Sequence, residues 1–174
     1  MPASLSRALL WASALSLLAA AAWLWPDVPD RVPVHFGAGG APDRWAERSV
    51  ASWFGLPLLG LALAAGLDAL TQWAVRHPET PGLNLPHKAA ILALPPERRP
   101  AVLGWVAALV YGVGVACLVA FALIQAGTWT AAQGAEGHVW VVAGGVVAVV
   151  GPLAVLVWGL VRVSAEVRRQ RDAL

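Results

Sequence analysis

Four apolar runs, each long enough to cross a bilayer, divide this 174-residue chain: Leu5 to Trp25, Val50 to Val75, Ala101 to Ala126 and His138 to Val163. At about 1.5 Å of rise per residue, a helix of roughly 20 residues covers the ~30 Å hydrocarbon core. Every backbone N–H and C=O in that core must be bonded within the chain, and a helix meets the demand. A content of 59% hydrophobic and 13% charged residues, with a mean hydropathy of +0.66, suits lipid better than water as the surrounding solvent. The expected architecture is therefore an all-α integral membrane protein. One four-helix domain spans residues 1–174, and the lipid bilayer is its first partner.

The first run has features of a signal peptide in its charged start, Leu-rich middle and Ala19 to Ala22 tract. It continues through Trp23-Leu24-Trp25, which reads as an interfacial anchor of a retained helix. Ten Trp against three Phe and one Tyr, many near the ends of apolar runs, fit the same headgroup preference. Pro78, Pro81, Pro86, Pro95, Pro96 and Pro100 prevent a continuous helix between the second and third runs. Within that connection Lys88 to Leu94 reads as a short interfacial segment, and Gly127 to Gly137 reads as the loop between spans three and four. Small residues four apart, Ala108/Gly112/Ala116 and Gly144/Ala148, allow close helix packing. Cys117, the only cysteine, excludes an intrachain disulfide.

The basic residues fix an expected orientation. Nine fall on one side of the four spans (Arg7, Arg76, Lys88, Arg98, Arg99, Arg162, Arg168, Arg169, Arg171) and three on the other (Arg31, Arg44, Arg48). The positive-inside rule places both termini in the cytoplasm of a multi-pass cell-membrane protein and the segment 26–48 outside. The net charge of +2 is thus a topology signal and not a nucleic-acid footprint.

That outer segment holds most of the chemistry in the first half of the chain. Val32 to Phe36 reads as an extended arm carrying His35, the glycines from Gly37 to Gly40 as a turn needing positive φ, and Asp43 as the cap of a helix beginning near Arg44. His35, Asp43 and Arg48 are expected to form a hydrogen-bonded scaffold. One His and scattered carboxylates lack a metal-ligand spacing, and the glycines lack the Lys-Ser/Thr of a phosphate loop. No catalytic motif, metal set or cofactor is read from the sequence, and nothing in it supports an enzyme. Within the second span Asp68 is a functional candidate by default, with Gln72 on the same face; its expected partners are Arg76, Lys88 or Arg99. Tyr111, Gln125, Ser13 and Ser16 are expected to hydrogen-bond between helices. Lys88, Arg98 and Arg99 are expected to meet anionic lipid headgroups.

Pro29-Asp30-Arg31-Val32-Pro33-Val34-His35-Phe36, followed by Gly40-Ala41-Pro42-Asp43-Arg44-Trp45 and Arg48, resembles the extracytoplasmic signature of a bacterial domain-of-unknown-function family found at the N-terminus of SdpI-type immunity proteins. In that signature Arg48 stands where Lys is usual; Asn84-Leu85-Pro86-His87-Lys88, with Leu94-Pro95-Pro96-Glu97-Arg98-Arg99 downstream, resembles the family's inner loop. The resemblance covers about Leu5 to Arg99. It implies a binding, signalling or toxin-immunity protein that recognises an extracytoplasmic peptide or other ligand through Pro33, His35, Asp43, Trp45 and Arg48, with Asn84, Pro86 and Lys88 inside. Two other readings stand beside it: a subunit of a membrane complex or homo-oligomer, and an enzyme or transporter component with a polar site at Asp68.

Overall fold

The computed structural model describes residues 3–173. Four helices are long and apolar enough to cross a membrane. They are α1 (Ala3–Leu24), α2 (Val50–Arg76), α4 (Arg99–Ala132) and α5 (His138–Asp172), with α3 (Lys88–Leu92) a short helix between α2 and α4. An antiparallel hairpin of β1 (Arg31–Phe36) and β2 (Pro42–Glu47) links α1 to α2. Helices α1, α2 and α4 pack mutually, and α5 packs along α4.

The core lies in three tiers. The middle tier joins Leu10, Ala14, Ala64, Ala107, Tyr111 and Leu118 from the three mutually packed helices. At the hairpin end, Ala21, Val28, Val32 and Trp53 form a second cluster, edged by Trp25, Phe54 and Trp129. At the opposite end, Leu85, Ile91 and Leu94 fold under Val102, Val163 and Val167. The polar connection between α2 and α4 is thereby a packed cap, with the apolar side of α3 directed at protein.

Several boundaries differ from the sequence reading. Asp43 caps no helix; it lies in β2, and α2 starts after Ser49. There the Ser49 hydroxyl accepts from Ser52 N–H while Ser52 Oγ accepts from Ser49 N–H, a reciprocal box that satisfies two of the orphan donors of a helix start. The loop expected over 127–137 shrinks to 133–137, because α4 continues to Ala132. Gly127 is a point of close approach to α5 instead of a breaker, and Thr128 and Thr130 bond back to the carbonyls of Ile124 and Ala126. The tail expected from Ser164 is the last part of α5. Val163 and Val167 bury on the inner cap, while Arg98 donates to the carbonyls of Gln170 and Ala173 at the helix end.

Candidate functional site

The hairpin turns where the Gly37 N–H donates to Ala41 O and the Gly40 N–H to Gly37 O, with Gly40 at φ 77°. That angle suits glycine. A side chain there would also meet His138 O and Val142 Cγ2 at 2.9 Å, since the tip rests on the first turn of α5. Val32 and Pro33 are buried beneath the hairpin, with β1 against α2 and α4. The other strand, β2, pairs only with β1, so its far edge is open among the described residues.

Three side chains pin the hairpin's base. Arg48 donates from Nη1 to Val28 O at 2.8 Å, and its guanidinium lies 4.3 Å from the Trp25 ring centroid. Trp53, at the start of α2, donates from Nε1 to Ala21 O at 2.8 Å, fastening α2 to α1. Gln133, after α4, donates to Asp27 O at 3.0 Å. On this base the register runs Arg31↔Glu47, Val32↔Ala46 and Pro33↔Trp45, slips at His35↔Arg44, and recovers at Phe36↔Pro42. The slip leaves Val34 and Asp43 without strand partners. Such irregularities re-aim side chains.

Here the slip coincides with the hydrogen bond between His35 Nδ1 and Asp43 Oδ1, 2.5 Å long, with both side chains about half exposed. The contact fixes the ring and leaves Nε2 as its remaining hydrogen-bonding atom. Arg44 and Trp45 are exposed beside it. Of the expected site residues, His35 and Asp43 are thus brought together, Trp45 faces the buried Pro33 across the strands, and Arg48 acts at the base through Val28 and Trp25 instead of joining the His35–Asp43 pair. Among the described residues no three His, Cys, Asp or Glu side chains form a metal-binding group. His35 with Asp43 falls short of the four ligands of a structural zinc site.

Asp68 occupies a second polar centre, near the other end. It accepts from Arg7 Nε and Nη2, both at 2.8 Å, from Trp11 Nε1 at 3.0 Å and from the Tyr111 hydroxyl at 2.9 Å. Tyr111 in turn accepts from Gln72 Nε2 at 2.9 Å, and Gln72 Oε1 meets Arg76 at 3.4 Å. Of the expected partners Arg76, Lys88 and Arg99, none contacts Asp68 directly. Proximity in sequence pointed to the wrong cations; depth in the bundle points to Arg7, which sits one turn into α1 where α2 descends beside it. Trp11 lies one further turn along the same face, and neither it nor Arg7 was singled out by motif.

The inner connection is tied by the same means. Lys88 Nζ donates to the carbonyls of Thr80 and Leu83, and Arg99 to those of Leu92 and Leu94. Together with Arg98 on α5, these cations are directed at backbone carbonyls of the inner connection and the end of α5. His87, at φ 57°, bonds through Nε2 to Ser164 Oγ at 2.8 Å, Pro86 is half-buried, and Asn84 is exposed. Positive φ is uncommon for a histidine, and the contact to α5 holds it there.

No curated protein and no solved structure matches this chain. Residues 12–61, which run from the first helix through the hairpin into α2, match the family model described as a domain of unknown function (DUF1648).

Proposed function

We propose that this protein is a multi-pass cell-membrane protein, both termini cytoplasmic, whose hairpin recognises an extracytoplasmic ligand in the manner of the SdpI-type binding, signalling or immunity proteins. The observation that carries the reading is the exposed set of His35, Asp43, Arg44 and Trp45 on a two-stranded ribbon fastened to the helices beneath. Side chains held in advance lose little freedom on binding. The open edge of β2 favours an extended peptide, since a strand added there gains main-chain hydrogen bonds and leaves alternate side chains to be read. Asp68 fits a structural role better than a transport or catalytic one, because both its oxygens are engaged. A second reading, a subunit of a membrane complex or homo-oligomer, is supported by α5, whose apolar face away from α4 carries Val142, Val146, Val149, Leu153 and Val157, all exposed.

The orientation is tested in a Cys117→Ser background. Ala38→Cys at the hairpin tip is expected to react with a membrane-impermeant maleimide in intact cells. Ala93→Cys in the inner connection is expected to react only after permeabilisation. The opposite pattern rules out the orientation.

Recognition is tested with a photo-crosslinking residue in place of Arg44. An adduct with a secreted peptide, reduced at least tenfold by Trp45→Ala or Asp43→Ala while the protein still inserts, is the expected outcome. Adducts confined to membrane-embedded chains favour the subunit reading, and an adduct indifferent to both substitutions removes the hairpin side chains from recognition.

A further inference from the structure

A groove of about 510 Å³ runs between α1 and α4. Its walls are mostly alanine and leucine, with Ser13, Ser16 and Gln125 supplying hydroxyl and amide groups. It extends from Ala12 to Leu24 on α1 and from Leu118 to Trp129 on α4, about 17 Å at ~1.5 Å per residue. That length is close to one leaflet of a ~30 Å hydrocarbon core. Because both helices run toward the hairpin, it is the leaflet on the hairpin side.

Ala12, Ala20, Ala21, Ala122 and Ala126 line the groove, and their small side chains leave a trough along the helices in which an extended alkyl chain fits.

Gln125 decides what heads that chain. The residue is 7% exposed, and its Nε2 makes one long hydrogen bond, 3.4 Å, to Trp53 O. Turning the amide over would set oxygen against oxygen at that contact, so the assignment holds. Oε1 accepts no hydrogen bond among the described residues, and Gln125 is one of the residues that line the groove. Lipid tails offer no donor, and an unmatched amide oxygen in hydrocarbon is costly. Gln125 also lines a smaller cavity of about 270 Å³ beneath the hairpin, together with Ser52 and Thr128. The amide therefore stands where an apolar groove meets a more polar space.

We infer that the α1/α4 groove binds a single-chain amphiphile from the hairpin-side leaflet. The alkyl chain lies between the helices, and a hydroxyl or amide N–H of its head donates to Gln125 Oε1. This site is separate from the exposed face of the hairpin and does not depend on it.

The full-length chain in detergent can be tested by native mass spectrometry with 1-monooleoylglycerol, which has head hydroxyls, and methyl oleate, which has the same chain and no donor. One bound monooleoylglycerol per chain is expected, preferred about tenfold over methyl oleate, the ratio of one net hydrogen bond. Gln125→Leu should abolish the preference while retaining the chain. Ala122→Phe, at an exposed position in the groove wall, should block both molecules without changing the unfolding midpoint. Equal binding of the two amphiphiles by the wild-type chain overturns the assignment, as does binding indifferent to Ala122→Phe. A wild-type dimer made monomeric by Ala122→Phe also overturns it, since a second copy of the chain then occupies the groove.

Discussion

Asp68→Ala is expected to destabilise the folded protein by about 3 kcal/mol, the scale of leaving the Trp11 and Tyr111 donors unmatched while half-exposed Arg7 loses its partner. The carboxylate joins α1, α2 and α4 through Arg7, Trp11 and Tyr111, and its loss strands the guanidinium, indole and hydroxyl donors together. For a chain of this size that corresponds to a fall of roughly 6–12 °C in the unfolding midpoint. It is measurable by thermal denaturation in mild detergent. Asp68→Asn should fall between wild type and alanine, because an amide still offers one acceptor oxygen but no charge. Combining Arg7→Met with Asp68→Leu should recover only the part due to the unpaired guanidinium, since Trp11 and Tyr111 still lack their acceptor. A midpoint for Asp68→Ala within about a degree of wild type would show that the network does not hold the helices together.

Gly144→Leu is the second large effect, and its neighbour supplies the control. A Cβ at Gly144 meets Ile124 Cγ1 at 2.8 Å, the backbone oxygen of Ala120 at 3.0 Å and the backbone nitrogen of Ile124 at 3.2 Å. Two of these are main-chain atoms that cannot rotate aside, so α4 and α5 must separate. Overpacking of this kind costs about 3 kcal/mol. At Gly145 a Cβ meets nothing within 4 Å, and Gly145→Leu should be neutral in the same assay. Because the hairpin tip rests on His138 and Val142, separation of α5 should also speed tryptic cleavage at Arg44 in the Gly144 variant. Equal midpoints for the two leucine variants would contradict the packing described.

The four helices were legible because an apolar run of bilayer length has few alternatives. Their ends were harder to place. Gly127 looks like a breaker in a list of residues, yet its missing side chain is what lets α5 approach, and that depends on a partner more than ten residues away. The tail from Ser164 reads as charged, whereas Val163 and Val167, one helical turn apart, are what the inner cap covers. At the hairpin, the Pro42-Asp43-Arg44 stretch satisfies a local rule for starting a helix, and pairing with Arg31 to Phe36 overrides it. The working cap, Ser49 with Ser52, lacks the acidic or amide partner that makes such boxes visible. The His35–Asp43 bond was anticipated from residue type; Arg48 was placed in the same scaffold and instead secures the ribbon's base. Asp68 was recognised as costly, but its partners follow from bundle depth, which requires knowing which helices adjoin.

The hairpin's supports are spread along the whole chain, and that dictates an order of assembly. The segment 31–47 emerges after α1, and α2 is the next element available to receive it. The contacts to α4, to Gln133 and to the first turn of α5 come from residues made later. A chain that has inserted α1 and α2 alone therefore holds the ribbon by its base, through Arg48 and Trp53, and lacks the seat beneath its tip. Resistance of the hairpin tip to protease is thus expected to report the arrival of α5.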